Sequence, residues 1–280
     1  MSHKNSIKWQ NRNIFSHTIL IIWSVIVIFP LWIMLINSFK DRLSIYQNPF
    51  GLPKKWHFSN YGEILGNYDF LSYFKNSLTA VVLSLALLLI VGSVASYALA
   101  NWRGKISRGI YFFCIAGMML PIKIASIRIL ELIRALGLLN TVWALIPIYV
   151  AMGVPVAIFI LTEFIRQIPH ELIESGTIDG AGRFMIFVRI IVPLLRPALA
   201  SVAIYNLIPF WNDLWFPLIF INDDRAKTLL LGVTRLFGQY QTDWSKVLAV
   251  LTLSAVPVIT LYLIMSKQFI KGLTAGAIKG

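Results

Sequence analysis

Charged residues are scarce in this sequence. They make up 13% of its 280 residues, with 12 Asp and Glu against 25 Lys and Arg. A soluble chain of this length covers its surface with roughly 25% charged residues, so a water-soluble globule does not fit the composition. Cysteine occurs once. Cys114 has no partner for an internal disulfide, lies in an apolar run and reads as a small core hydrophobe. His3, His17, His57 and His170 do not fall at metal-ligand spacing, so no metal site is expected. A phosphate-binding Gly-x-x-x-x-Gly-Lys-Ser/Thr loop is absent as well. Gly104-Lys105-Ile106-Ser107 has neither the glycine spacing nor the hydroxyl after the lysine. A chain without that cradle is expected to bind no nucleotide of its own.

The net charge of +13 does not point to nucleic acid. The basic residues sit at the ends of apolar runs, where Lys and Arg meet lipid headgroups and set topology. A nucleic-acid surface needs them on a soluble element between polar or aromatic partners. The partner implied by this pattern is membrane lipid.

What the sequence has in abundance is apolar length: 58% of residues are hydrophobic and the mean hydropathy is +0.73. A spanning helix needs about 20 consecutive apolar residues. Residues 14–39, 77–99, 135–162 and 247–266 are uncharged runs of that kind or nearly so, and 197–222 is apolar except for Asp213. A further run, 109–122, is short by that rule. Ser107 and residues 124–127 extend it, and counting it puts both basic termini on one side. The reading is an all-α membrane protein of six spanning helices. Residues 1–13 form a flank and 14–268 the membrane domain, with a loop at 163–196, another at 222–246, and a tail at 269–280. No small-residue cleavage site follows the first apolar run, so it reads as a span and not as a secretory signal. Lys and Arg divide almost evenly between the two sides. The Arg103, Lys105 and Arg108 cluster in a short turn argues that its side, and with it both termini, is cytoplasmic.

The loop 163–196 has helical patterning. Pro169 is suited to the first position of a helix, which should end near Asp179-Gly180, since glycine tolerates the left-handed conformation found after helices. A second helix over 181–191 would put Phe184, Phe187, Val188 and Ile191 on one face, with Pro193 and Pro197 breaking the chain beyond it. The result is a helix–turn–helix bracket at the membrane surface. It offers Glu171, Glu174, Arg183 and Arg189 to a partner, or merely to solvent.

The run Glu174-Ser175-Gly176-Thr177-Ile178-Asp179-Gly180-Ala181, followed by Phe187 and Ile191-Val192-Pro193-Leu194-Leu195-Arg196-Pro197, resembles the "EAA" loop of the permeases of binding-protein-dependent ABC importers. The Glu and the Gly six residues later keep their places; Ser175 and Gly176 replace the usual alanines. A glycine inside a helix costs up to about 1 kcal/mol relative to alanine, so the first helix is expected to be softer than usual. Further pieces are similar to the carbohydrate-uptake branch, with its MetI/MalG-like permease fold. They are Tyr73-Phe74-Lys75-Asn76-Ser77-Leu78, Ala98-Leu99-Ala100, Met118-Met119-Leu120-Pro121, Phe210-Trp211-Asn212-Asp213 and Gly272-Leu273-Thr274-Ala275-Gly276.

This resemblance implies a non-enzymatic permease subunit working with a homologous second permease, a dimer of ATPase subunits that binds the ATP and Mg, and an extracytoplasmic solute-binding protein. The implied cargo is a sugar or glycoside. Glu171, Glu174, Asp179, Gly180 and Arg183 would form the ATPase coupling site, with residues 276–280 reaching the same partner. Gln239 and Tyr240 would meet the solute-binding protein. Asp213, an acid within an expected span, lies beside Trp211, Asn212 and Trp215. These could line the translocation path, or Asp213 could be a structural acid bonded between helices. Pro30, Pro147, Pro155, Pro209, Pro217 and Pro257 fall in the expected spans, as kinks around a cavity or as ordinary membrane prolines. An ion-driven secondary transporter would need a relay of buried charges, for which only Asp213 qualifies. A membrane enzyme would need paired carboxylates, and only Asp223-Asp224 offers a pair.

Overall fold

The computed structural model describes residues 3–67, 69–102, 104–237 and 242–277. Its helices are α1 (His3–Ser38), α2 (Arg42–Gln47), α3 (Ser59–Asn67), α4 (Phe70–Asn101), α5 (Lys105–Gly117), α6 (Ser126–Ala135) and α7 (Leu145–Ile165). They continue with α8 (His170–Ile178), α9 (Arg183–Leu194), α10 (Arg196–Trp211), α11 (Trp215–Phe220), α12 (Leu229–Val233) and α13 (Trp244–Ala277). Among the described residues four stretches are long and apolar enough to cross a membrane: Ile14–Ser38, Phe70–Asn101, Val142–Ile165 and Trp244–Ile264. The pairs Lys105–Gly117 with Ile122–Ala135, and Arg183–Leu194 with Arg196–Trp211, also qualify together, but they bend by 85° and 70°. By length and composition the described residues thus hold four such segments, or up to six if each bent pair is counted as one.

The chain divides into two compact units, Met1–Tyr68 with Arg235–Ala255, and Asp69–Thr234 with Val256–Gly280. In the first, the apolar stripe of α1 ends at Ser38 and the chain turns on a knot of hydrogen bonds. Lys40, only 2% exposed, donates from Nζ to Asn37 Oδ1 (2.8 Å) and to the Asn48 carbonyl (2.7 Å). Asn60 donates to the carbonyls of Ser38 and Lys40. Buried polar groups require such partners. Burial draws the Lys40 ammonium below its ordinary pKa. Asp41 caps α2 by accepting from Ser44. At the start of α13, Lys246 pairs with Glu63 (2.8 Å) and Asp243 (3.4 Å).

The second unit is organised on α4 and α7. Apolar solvent gives membrane helices no hydrophobic drive to associate, so close packing of small residues takes its place. A Cβ at Gly153 of α7 would overlap Leu88 of α4, and Leu88, Ala157 and Leu161 are completely enclosed. The 73–78 segment that opens α4 binds a later loop: Asn76 Nδ2 donates to the carbonyls of Arg225 and Lys227 (2.8 and 3.0 Å), and Ser77 Oγ accepts from Leu229 N (2.8 Å).

Three expected spans differ from the sequence reading, one of them 197–222, which is interrupted between α10 and α11. The run 107–127 is not one helix. It stops at Gly117, closes with tight turns at Met118–Leu120, and restarts as a 3-10 turn at Ile122–Ala125. Pro121 explains the break, because it lacks an N–H and pushes the residue before it away from helical geometry. The apolar run 135–162 begins its helix ten residues late. Gly137 and Asn140 take positive φ (69° and 59°), which makes 136–141 a loop, fastened where Asn140 N donates to the Phe220 carbonyl and its Oδ1 accepts from Asn222 N.

Candidate functional site

The loop 163–196 folds as a bracket. Pro169 is the N-cap of α8, one position earlier than expected, and Glu171 lies in the first turn, where negative charge is favourable. The helix ends at Asp179. Gly180, at φ +79°, donates its N–H to the Thr177 carbonyl (3.0 Å), and Ala181 donates to Gly176 (2.9 Å). This pair of bonds is the Schellman motif, and the positive φ is why glycine stands there. Asp179-Gly180 therefore terminates the helix as its spacing predicts.

The second helix departs from expectation. It begins at Arg183, not 181, and Phe187–Ile191 form a π turn. A π turn inserts one extra residue, so the buried face shifts. Ile186, Ile191 and Leu195 are enclosed, whereas Phe184 is 79% exposed and Val188 is also exposed. Pro193 does not break the chain, because the preceding π turn has already left the i→i−4 ladder that its missing N–H would interrupt. The bend falls at Leu195, with Pro197 in the first turn of α10.

Gly176 is buried against the second helix; a Cβ there would stand 2.8 Å from Ile190 Cδ1. The glycine expected to soften α8 is thus the position where the two arms meet. Ile165, Ile186, Ile191 and Leu195 form a core with Tyr97, Ala100, Ile173 and Phe187 packed on it, and the Tyr97 and Phe187 rings are 5.1 Å apart. The bracket is therefore seated on the ends of α4 and α7. Close by, Glu163 accepts from Tyr111 OH and from Arg166 Nη1, both at 2.7 Å, bracing α5 to α7.

Glu171, Glu174, Asp179 and Arg183 are all exposed. Among the described residues none of them makes an ion pair. Glu171 and Glu174 share one side of α8 as an i,i+3 pair, away from the Gly176 contact. The bracket thus offers carboxylates on one side and is anchored by the other.

Asp213 is not inside a helix. It lies in the break between α10 and α11, where Oδ2 accepts from Tyr149 OH (3.1 Å) and Oδ1 from Trp215 N (3.1 Å). Trp211 is 5% exposed and packs edge-on against Phe74; Asn212 is exposed. A cavity of about 660 Å³, lined in part by Phe210, lies between the broken α5–α6 pair, α7 and α10. Its lining includes Met118, Pro121, Met152, Tyr205 and Pro209, with Asn206 as a buried polar group. Trp211, Asn212 and Asp213 do not line it. The sequence signal for Asn206 was a lone amide within an apolar run. Gln239 and Tyr240 lie outside the described residues, as do 278–280.

Interrupted helices at membrane depth are tolerated where they are buried in protein or line a cavity. Their presence around this cavity, with a surface bracket at one end of the bundle, defines a multi-pass membrane permease. Residues 89–274 match the model of the binding-protein-dependent transport system inner membrane component family, and the chain belongs to that family. The ABC transporter permease protein ORF2 of a Caldicellulosiruptor strain is 38% identical over 262 residues, spanning 93% of this chain and 95% of its own. The diacetylchitobiose uptake system permease protein NgcG of Streptomyces coelicolor is 34% identical over 94% of this chain and 88% of its own. The fold is that of a bacterial ABC transporter involved in import of the acidic polysaccharide alginate, with a TM-score of 0.80 at 21% identity over 96% of this chain and 99% of that one.

Proposed function

We propose that this chain carries a sugar or glycoside across the cytoplasmic membrane as one of two homologous permeases, driven by separate ATPase subunits and supplied by an extracytoplasmic solute-binding protein. The observation that carries this reading is the bracket. It is a helix pair interlocked at Gly176, terminated at Gly180 and fused to the ends of α4 and α7, with carboxylates facing outward. A part so built moves as one piece when pushed. Charge-assisted hydrogen bonds are short and directional, so Glu174, with Glu171, Asp179 and Arg183 beside it, suits docking to a basic cleft of an ATPase subunit. Both termini then face the cytoplasm. ATP and Mg belong to the partner, and this chain performs no catalysis.

The carbohydrate class is supported by the diacetylchitobiose relative. The path runs past the cavity at Asn206, with the second permease closing its open side, where Met119 and Leu120 are exposed. Asp213 serves chiefly to hold the α10–α11 break against Tyr149, with Trp211 and Asn212 flanking the path. Gln239 and Tyr240 are the proposed contact to the solute-binding protein. Glu174→Lys tests the reading. The chain should reach the membrane at normal level while uptake uncouples from ATP hydrolysis. Normal uptake with normal ATPase co-purification would remove Glu174 from the mechanism.

A further inference from the structure

A second cavity, of about 620 Å³, opens where the bracket joins the bundle. Its walls are the turn between α4 and α5, the last turn of α7 and the first turns of α8. Lys105, Arg108, Arg166 and His170 converge on it, while Leu99, Ile165, Ile168 and Ile173 supply an apolar wall and Trp102 stands at its mouth. Among the described residues no Asp or Glu lines it. Lys105 and Arg108 are exposed and, among the described residues, make no ion pair, whereas Arg166 is paired with Glu163. The backbone reinforces the same sign at α5: its N-cap Gly104 lines the cavity and provides no capping side chain, leaving a helix end that carries partial positive charge. The apolar helices α4 and α7 end at Asn101 and Ile165, both of which line the cavity, and the end of a spanning helix is where headgroups are expected.

From this cavity we infer a binding site for the phosphate of an anionic membrane phospholipid. The phosphate meets Lys105, Arg108 and His170, and the acyl chains lie along the half-buried Ile168 and Ile173. Phosphate chemistry is shared with soluble phosphates; the apolar wall and the Trp102 belt position favour the lipid. A lipid in this place wedges between the α4–α5 turn and the root of the bracket. The inference rests on membrane embedding and on this cavity, and it does not depend on the importer reading.

The test uses the full-length chain, with whatever subunits co-purify, in nanodiscs of phosphatidylcholine containing phosphatidylglycerol. Lipid retained through detergent extraction is measured by native mass spectrometry. Phosphatidylglycerol should be retained over phosphatidylcholine by about tenfold, as expected for basic residues at a membrane surface. Lys105→Gln with Arg108→Gln should abolish that preference, and the charge-conserving exchange Lys105→Arg with Arg108→Lys should restore it. Millimolar orthophosphate should not displace the lipid. Equal retention of the two lipids, or a preference unchanged in the double Gln variant, overturns the proposal. Displacement by orthophosphate assigns the cavity to a soluble anion and overturns it equally. Unchanged monodispersity and helical circular dichroism of the Gln variant ensure that a lost preference is not lost folding.

Discussion

Gly176 on the first arm of the bracket lies so close to Ile190 on the second that a methyl group placed on it would stand 2.8 Å from Ile190 Cδ1. The atom in the way is the far end of a flexible side chain. Gly176→Ala should therefore be tolerated, because a rotamer change at Ile190 makes room while alanine favours the helix by up to about 1 kcal/mol. Gly176→Leu has no such escape and should destabilise by about 1–3 kcal/mol through overpacking. Thermal unfolding in detergent measures both, and Ile190→Ala should recover part of the loss in the Leu variant. Equal stability of the Leu variant and the parent would show that the arms are not interlocked there.

Gly180 holds a left-handed conformation at φ +79° with nothing near its missing Cβ. The expected cost of Gly180→Ala is conformational and not steric, about 1–2 kcal/mol. Gly180→Asn should cost less than Gly180→Ala, since Asn adopts this conformation more readily. A larger loss for Asn than for Ala in the same unfolding assay would contradict the helix-stop assignment.

Tyr149 and Asp213 are joined by one hydrogen bond between residues 64 apart in sequence. Tyr149→Phe removes the donor and should destabilise by about 1.5–3 kcal/mol, the range for bonds to charged groups. Asp213→Ala should be more damaging, because Trp215 N loses its acceptor as well. The double variant should be less destabilised than the sum of the two. Additivity within about 0.5 kcal/mol would mean that the groups act independently.

The Asp243 carboxyl, outside the membrane spans, responds to opposed influences. Partial burial, the largest, pushes its pKa up, while hydrogen bonds from Ser245 and Lys246 and the Lys246 charge together outweigh it and hold it below the ordinary value of 3.8. A depressed carboxylate pKa contributes stability that is fully present above the unfolded value and is lost as pH falls through the folded one. The first unit should therefore lose stability on acidification below about pH 4, and Asp243→Asn should flatten that part of the pH profile. A profile of the same steepness in the variant would assign the acid sensitivity to other groups.

Much of the bracket was legible in the residues themselves. Its helix stop at Asp179-Gly180 is a local matter, settled by one glycine and two hydrogen bonds within six positions. The face of its second helix was legible in part: Phe187 and Ile191 pack inward as expected, while Phe184 and Val188 lie exposed. Ile186 and Ile191 pack with Ile165 and Leu195 across a π turn at Phe187–Ile191, an offset that a regular 3.6-residue period does not give. The 73–78 segment likewise could be noticed by its resemblance, but its role in holding the Arg225–Leu229 backbone depends on a neighbour about 150 positions away.

The sequence by itself determined that this is a helical membrane protein with six apolar segments and a charged bracket, because lengths of uncharged chain and the chemistry of turns are properties of neighbouring residues. Tertiary structure decided which segments break, where the cavities open and what holds Asp213. Those outcomes depend on how α4, α7 and α10 pack, and a broken helix or a buried carboxylate persists only where residues distant in sequence supply the partners that lipid cannot.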